Sequence, residues 1–182
     1  GIEFLFKKHK IDRIRGTARL AGQGRVEVFE GEEQTLEATD IIVATGSTPR
    51  GLPGVEIDHA RIVTSDDAIH LAEVPTSLVV LGAGAVGVEF ASIYRRFGSE
   101  VTIVELLPRL VPGEDEAVST ELQKSFKKQG IRSLTGSKVV NVTSDATGVT
   151  IEVQGSDGKR HNLLADVLLV ATGRGPVTEG LG

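Results

Sequence analysis

The chain contains no cysteine, no methionine and no tryptophan, and only one tyrosine, among its 182 residues. Without cysteine it can form no disulfide and no thiolate metal site, and it offers no cysteine nucleophile. Its histidines do not have the spacing of a metal site, so we expect no metal; they stand at His9, His59, His70 and His161. Because methionine is missing even at position 1, we expect a piece of a longer chain.

Long apolar runs and any excess of basic charge are missing as well. No run approaches the roughly 20 apolar residues that a bilayer-spanning helix needs, and residues 1–10 carry their charges after the apolar positions, the reverse of a secretory signal. The 20 basic and 25 acidic residues are interspersed and sum to a net charge of −5, which argues against a nucleic-acid or membrane surface. With 40% hydrophobic residues, we expect a soluble globular protein whose partners are small molecules or proteins.

The tetrapeptide VATG occurs twice, in IIVATGS at residues 41–47 and in LLVATGR at residues 168–174. Each copy follows an apolar run without alternation, which predicts a strand covered on both faces, as in a parallel sheet. Residues 1–10 predict the end of a helix, and residues 11–46 predict a small β meander, broken at AGQG and EGEE, that closes into the buried strand of the first copy.

The densest pattern lies between the two copies, where an apolar strand over residues 78–81 leads into Gly82-x-Gly84-x-x-Gly87. In dinucleotide binding, the first glycine permits the tight turn, the second lets the backbone approach the pyrophosphate, and the third lets the helix pack closely on the strand. The phosphates then meet the positive N-terminus of that helix. The helix is predicted to have an apolar stripe and to end at Gly98; the stripe consists of Val86, Phe90, Ile93 and Phe97.

A second apolar strand, over residues 101–104, ends on Glu105, 23 positions after Gly82. An acid at this point accepts hydrogen bonds from the adenosine ribose, and its charge disfavours the 2′-phosphate of NADP. Strand, glycines, helix, strand and acid in this order predict a Rossmann-like βαβ unit that binds NAD. Two alternatives stay open: a purely structural glycine-rich βαβ unit, and a 2′-phosphate contact from Arg109.

The rest of the chain shows predicted helices alternating with strand-like runs, as in an α/β domain. A short capped helix is predicted over residues 64–70 and an amphipathic helix over residues 113–130. Strand-like runs follow at residues 138–145 and 148–154, ahead of the second VATG copy. The fold class predicted is therefore α/β, with βαβ units, a parallel sheet and an added β meander.

The order of GTA, IIVATGS, LGAGAVGVEF, VELLPRL and VLLVATGR resembles the pyridine-nucleotide disulfide oxidoreductases, and is most similar in its details to the dihydrolipoamide dehydrogenases. The resemblance covers nearly the whole chain. It implies an FAD-binding domain interrupted by an inserted NAD-binding domain, with Ala-Thr-Gly turns at both junctions. The implied division is a partial FAD-binding domain over residues 1–50, an NAD-binding domain over residues 51–173, and a return into the FAD-binding domain over residues 174–182.

On the NAD side, the resemblance implies a role for each matching residue. Glu105 would hold the ribose, Glu89 would neighbour the nicotinamide, and Gly173 would line the site. The backbone of Val140 would meet the adenine. The pyrophosphate would be held by Gly82, Ala83, Gly84, Ala85, Val86 and Gly87.

On the flavin side, the resemblance implies that Ala18 touches the FAD adenine. The first junction would consist of Thr45, Gly46 and Ser47. The chain departs from the family at Val177, where asparagine is common, so a polar contact near the flavin is in doubt.

The resemblance implies an electron relay from dihydrolipoamide through a disulfide and FAD to NAD. It further implies a homodimer at full length, with 2-oxo acid dehydrogenase complexes or the glycine cleavage system as partners, in the cytoplasm or mitochondrial matrix. The family's redox cysteine pair and His-Glu base have no counterpart in these residues, so we expect no catalytic residue here. The alternatives are an NADH oxidase, a mercuric or glutathione reductase, or a free-standing NAD-binding module.

Overall fold

The computed structural model describes all residues from 1 to 182. They group into two units: unit 1 comprises Gly1–Ser47 with Pro176–Gly182, and unit 2 comprises Thr48–Gly175. None of the helices is both long and apolar enough to cross a bilayer. Which cofactor each unit binds stays a prediction.

Unit 1 consists of a short helix and a three-stranded antiparallel meander. Helix α1 (Ile2–Lys8) has two lysines in its last turn, at the negative end of the helix. Strand β1 (Gly16–Leu20) pairs with β2 (Arg25–Gly31), and β2 pairs with β3 (Gln34–Glu37), both antiparallel. The predicted helix end and meander are thus confirmed.

The buried strand predicted over residues 41–44 is wrong. These residues have no regular secondary structure, and Ile42 is 91% exposed. A strand needs a neighbouring strand to take up its backbone hydrogen bonds and cover its faces. No strand of the chain pairs with this segment, so its apolar composition alone does not produce a strand.

The remaining elements alternate helices and strands until a run of strands near the end. In chain order they are β4 (Ser47–Pro49), β5 (Ile62–Val63), α2 (Ser65–Ala68), β6 (Ser77–Leu81), α3 (Ala85–Phe97), β7 (Glu100–Val104), α4 (Glu116–Gln129), β8 (Arg132–Leu134), β9 (Lys138–Ser144), β10 (Val149–Gln154), β11 (Arg160–Ala165), β12 (Val167–Val170) and β13 (Arg174–Pro176). Strands β4 and β13 form a two-stranded ribbon.

Unit 2 is built on a five-stranded parallel sheet with the order β5-β12-β6-β7-β8. From β6 the chain moves outward to β7 and β8, and it later returns to the other side of β6 as β12. The strand order therefore reverses between β6 and β12. Open α/β sheets bind their ligands at such a switch point, outside the carboxyl ends of the strands.

The sheet is covered on both faces, which explains the unbroken apolar runs of its strands. On one face, Val80 and Ile103 pack with buried residues of α3 and α4, including Tyr94 and Phe126. On the other face, alternate residues of the same strands pack against the antiparallel sheet β11-β10-β9. The predicted α/β fold with a parallel sheet is confirmed.

Only the first half of the apolar stripe predicted on α3 packs against the core, where Val86 and Phe90 are half-buried. Ile93 and Phe97 are 43% and 64% exposed. The buried residues of α3 are Gly87, Val88, Ala91 and Tyr94. Mostly small residues form this face because α3 approaches the β6 turn closely at Gly87, and a pattern of large apolar residues does not detect such a contact.

Candidate functional site

The glycine turn between β6 and α3 is held by two close backbone approaches. Gly82 has φ +102°, and a Cβ added there would lie 2.4 Å from the carbonyl oxygen of Ala171. A Cβ added at Gly87 would lie 2.0 Å from the carbonyl oxygen of Gly82. At Gly84, by contrast, no atom lies within 4 Å of an added Cβ, and the residue is exposed. Gly84 therefore presents bare backbone to open space.

Ala83 lies beneath this turn and is fully buried. Its backbone N–H donates to Glu105 Oε2 at 2.7 Å, and its carbonyl accepts from the N–H of Val111 at 2.8 Å. Both polar groups of Ala83 are thus bonded within the chain. Among the residues predicted to hold the pyrophosphate, Ala83 supports the turn from inside.

The other pyrophosphate residues stand at the start of α3, which has Gly84 as its N-cap. Ala85 is exposed and Val86 is half-buried. The first N–H groups of a helix have no acceptor within the helix and form a region of positive potential. The exposed carboxylate of Glu89 is four residues further along α3, about one helical turn from Ala85.

Glu105 is 8% exposed and is bonded through its side chain and its backbone. In addition to the Ala83 contact, Oε1 accepts from the N–H of Leu107 at 2.8 Å. Its own N–H donates to the Leu134 carbonyl, and its carbonyl accepts from the N–H of Ser137, each at 2.9 Å. Because each carboxylate oxygen has two lone pairs, acceptor capacity for ribose hydroxyls remains.

Val140, predicted to meet the adenine, lies at a β-bulge. Glu152 pairs with Asn141 and Val153 with Val139, so Val140 has no partner on β10. It is 38% exposed. Bulges are common beside functional sites, where they redirect a side chain or a backbone group.

Two leucines that sequence reasoning missed belong to the same neighbourhood. Leu106 and Leu107 follow Glu105 directly and are 65% and 48% exposed. The Leu107 carbonyl accepts from the N–H of Gly136 at 2.8 Å, which joins this loop to the approach to β9, the strand of Val140. The signal available in the sequence was the apolar pair immediately after Glu105.

Gly173 follows β12, beside the glycine turn. The N–H of Ala171 donates to the Leu81 carbonyl at 2.8 Å, and Ala171 also contacts Gly82. Gly173 is exposed, has φ +129°, and accepts from the N–H of Arg50 at 2.9 Å. The structure therefore brings Gly82, Glu105 and Gly173 to one edge of the sheet, at the ends of three adjacent strands.

The residues predicted for the flavin side are exposed and lie in unit 1. The hydroxyl of Thr45 donates to the Val177 carbonyl, and the Gly46 carbonyl accepts from the N–H of Val177 at 3.0 Å. Val177 thus contributes its backbone at the place where a side-chain contact was in doubt. Ser47 begins β4, and Ala18 lies on β1.

The known proteins that are similar to this chain point to one family. A family profile described as pyridine nucleotide-disulphide oxidoreductase matches residues 1–182. Dihydrolipoyl dehydrogenase 3 of Pseudomonas aeruginosa is 48% identical, covering 100% of this chain and 40% of that protein. The mitochondrial dihydrolipoyl dehydrogenase of Pisum sativum is 42% identical, covering 100% of this chain and 37% of that protein.

Solved structures of flavoprotein reductase relatives are also similar to this chain in fold. LpdA from Mycobacterium tuberculosis has a TM-score of 0.73 at 31% identity, covering 93% of this chain and 37% of that one. The HOCl-induced flavoprotein disulfide reductase RclA from Escherichia coli has a TM-score of 0.71 at 27% identity, with coverages of 99% and 42%. The chain spans about 40% of the length of the curated relatives. With the profile matching from end to end, the chain belongs to the pyridine nucleotide-disulphide oxidoreductase family.

Proposed function

We propose that unit 2 binds NAD, and that the complete protein is an FAD-dependent dihydrolipoyl dehydrogenase passing electrons from dihydrolipoamide through a disulfide and FAD to NAD. The observation that carries the NAD proposal is the bond between the Glu105 carboxylate and the glycine turn at the switch point of the sheet. The parent activity is supported by relatives named dihydrolipoyl dehydrogenase that are 42% to 48% identical over the whole chain.

In this proposal the cofactor lies across the carboxyl edge of the sheet. The pyrophosphate meets the N–H groups of Gly84 and the start of α3, where the backbone is open to solvent. The ribose hydroxyls bond to Glu105. The adenine lies against the exposed apolar side chains next to it, and the nicotinamide extends toward Glu89 and Gly173. NAD supplies the hydride-accepting chemistry, while these residues bind and orient it.

NAD rather than NADP is the cofactor that fits this edge. A 2′-phosphate would bring negative charge against the buried carboxylate of Glu105. Arg109, the one cation that sequence reasoning offered for such a phosphate, donates instead to the carbonyls of Pro112 and Glu114, both at 3.1 Å. The guanidinium therefore forms its hydrogen bonds within its own loop.

The second part of the proposal concerns the flavin and the partners of the complete protein. Ala18, Thr45, Gly46 and Ser47 supply one part of an FAD site, and all four are exposed. We further propose a homodimer at full length that works with a 2-oxo acid dehydrogenase complex or the glycine cleavage system. Bacterial and mitochondrial relatives support a cytoplasmic or matrix location. Another disulfide reductase of the family is the alternative, less favoured because RclA is only 27% identical.

Isothermal titration of the 182-residue chain with NAD and with NADP tests the NAD proposal. We expect NAD to bind at least about tenfold more tightly, which corresponds to about 1.4 kcal/mol. Equal affinity for the two cofactors, or a preference for NADP, would rule out Glu105 as the ribose-reading residue. Absence of any binding would remove the NAD proposal itself.

A further inference from the structure

Val111, in the loop between β7 and α4, has a backbone conformation that valine avoids. Its φ is +40°, in the left-handed region, where a β-branched residue is a genuine outlier. Only Lys10 and His59 also have positive φ among the non-glycine residues, and neither is β-branched. Such conformations persist when surrounding contacts enforce them, and they concentrate at functional sites.

Contacts on both sides of Val111 hold it in place. The side chain of Leu110 is 1% exposed and belongs to the core beneath α3 and α4. On the other side, the Val111 carbonyl accepts from the N–H of Glu114 at 2.9 Å, and the guanidinium of Arg109 closes the loop over Pro112 and Glu114. The loop is thus anchored, and Val111 has little freedom to relax.

The strained residue forms two hydrogen bonds outside its own loop. Its carbonyl accepts from the hydroxyl of Ser119 on α4 at 3.5 Å, and its N–H donates to the Ala83 carbonyl at 2.8 Å. In a trans peptide the C=O of one residue and the N–H of the next point in opposite directions. With the Ala83 carbonyl bonded to Val111, the N–H of Gly84 is directed to the opposite side. No atom lies within 4 Å of the position that a Cβ on Gly84 would occupy.

The peptide before Ala83 is fixed in the same way. The N–H of Ala83 donates to Glu105, so the Gly82 carbonyl faces away from Glu105 and toward α3, where it lies against Gly87. Both peptide planes that flank Ala83 are therefore set by the segment from Glu105 to Val111. If the Val111 bond were absent, rotation of the Ala83–Gly84 peptide would present a carbonyl dipole of the wrong sign to an anion.

We infer that Val111 is a positioning residue for the cofactor phosphates: its backbone N–H holds the Ala83–Gly84 peptide so that the Gly84 N–H faces the phosphate site before a cofactor arrives. This inference rests on the proposed NAD function, because that function brings phosphates to Gly84. The backbone N–H performs this task, while the half-buried valine side chain packs against the core.

The test removes the donor and keeps the side chain. In the 182-residue chain, Val111 is replaced by its α-hydroxy acid analogue, which changes the 110–111 amide to an ester. Binding of ADP and of adenosine is then measured by calorimetry and NMR titration. We expect ADP to bind about tenfold more weakly, the order expected when a charge-assisted contact is misaligned, and adenosine affinity to stay within about twofold.

Two variants serve as controls. Val111→Gly keeps the N–H, and glycine adopts positive φ without strain, so its loss of ADP affinity should be smaller than that of the 111 ester. An ester at Gly155 removes a comparable backbone bond, from its N–H to the Lys159 carbonyl, in a hairpin far along the chain. It should reduce thermal stability without changing ADP affinity.

Several results would overturn the inference. Parent-like ADP binding by the 111 ester would do so, as would equal losses for ADP and adenosine, which indicate a merely structural bond. Hydrogen exchange gives a test independent of any variant: the Val111 amide of the ligand-free chain should be protected, and exchange at the unprotected rate would exclude the bond. If the parent chain binds neither ADP nor NAD while this amide is protected, the proposed function fails instead.

Discussion

At the scale of single residues, Glu105 shows how one carboxylate serves both the fold and the proposed ligand. Its carboxylate accepts hydrogen bonds from the N–H groups of Ala83 and Leu107, and the residue is only 8% exposed. Removing an acceptor from a buried donor costs about 1–3 kcal/mol. Sequence reasoning assigned only the ribose contact to this residue, because the distant partner of the carboxylate is not visible in the sequence.

Glu105→Ala should therefore lower both cofactor affinity and stability. We expect NAD to bind about ten- to a hundredfold more weakly, with a smaller loss for NADP, and the free energy of unfolding to fall by about 1–3 kcal/mol. Calorimetry and urea unfolding measure the two effects. Glu105→Gln is the matched control, since it keeps one acceptor oxygen but loses the charge, and should preserve more stability while discriminating less against NADP. Unchanged stability in the alanine variant would contradict the bond to Ala83.

Gly84 and Gly87 form a second matched pair, since both belong to the motif but differ in their surroundings. Gly87→Ala brings a methyl group to 2.0 Å from the Gly82 carbonyl oxygen, and forced overpacking of this kind costs about 1–3 kcal/mol. Gly84→Ala meets open space and loses only the N-cap preference of glycine, so it should lower stability less than Gly87→Ala and instead weaken NAD binding by obstructing the phosphates. Equal loss of stability in the two variants would show that the glycines do not have separate tasks.

At the scale of secondary-structure elements, α2 shows that a four-residue helix can be specified by its cap. The Asp67 carboxylate accepts from the backbone N–H and from the hydroxyl of Thr64, each at 2.8 Å, and the two residues complete a capping box. These bonds, with the Thr64 N–H foremost, lower the pKa of Asp67 below its ordinary value of 3.8. His59 is bonded to the same carboxylate at 2.9 Å.

The stabilisation by Asp67 should therefore depend on pH. Since its folded pKa lies below 3.8, the contribution is fully present above that value and is lost as the pH falls through the folded pKa. Asp67→Asn should be less stable than the parent by about 0.5–2 kcal/mol near pH 6, the range measured for helix caps, and the difference should shrink below about pH 3.

Urea unfolding between pH 2.5 and pH 7, on the order of one point per half unit, measures this dependence. Asp66→Asn is the control, because it removes a charge from the same turn without touching the Thr64 N–H. A difference between the parent chain and Asp67→Asn that stays constant with pH would contradict the role of the charged carboxylate.

The two VATG copies have the same sequence but adopt different secondary structure. In the second copy, β12 lies between β5 and β6, and Leu168, Leu169 and Val170 are at most 1% exposed. In the first copy, the same kind of run has no partner strand and is exposed. Burial of a parallel strand depends on its neighbours in the sheet, which the local sequence does not contain.

At the scale of the whole molecule, the chain spans about 40% of its curated relatives. The family resemblance attributes the redox disulfide and the catalytic base to segments outside these 182 residues. We therefore expect no lipoamide-dependent oxidation of NADH by this chain, even with FAD added. Absorbance at 340 nm measures it, with a full-length dihydrolipoyl dehydrogenase as positive control. Measurable turnover by the 182-residue chain would contradict its assignment to the NAD end of the relay.

Flavin binding should be weak in the same chain. Four residues predicted for the flavin side lie exposed in unit 1 and supply one part of a site. We expect FAD titrated into the chain to show no quenching of its fluorescence at micromolar concentration, whereas NAD binding remains measurable. Submicromolar FAD affinity would show that the flavin site is complete within these residues.

The sequence by itself determined the class of fold, the β6–α3–β7 unit, the glycine turn and the acid that follows it. These depend on short-range rules: strand and helix periodicity, helix caps, and glycines at tight turns. Only the tertiary structure decided which VATG run becomes a strand, which face of α3 is buried, and which peptide groups of the turn are free. Those outcomes depend on hydrogen-bond partners that are distant in the chain. The Val111 N–H donates to the Ala83 carbonyl, and the Glu105 N–H donates to the Leu134 carbonyl. No local sequence pattern encodes such pairs.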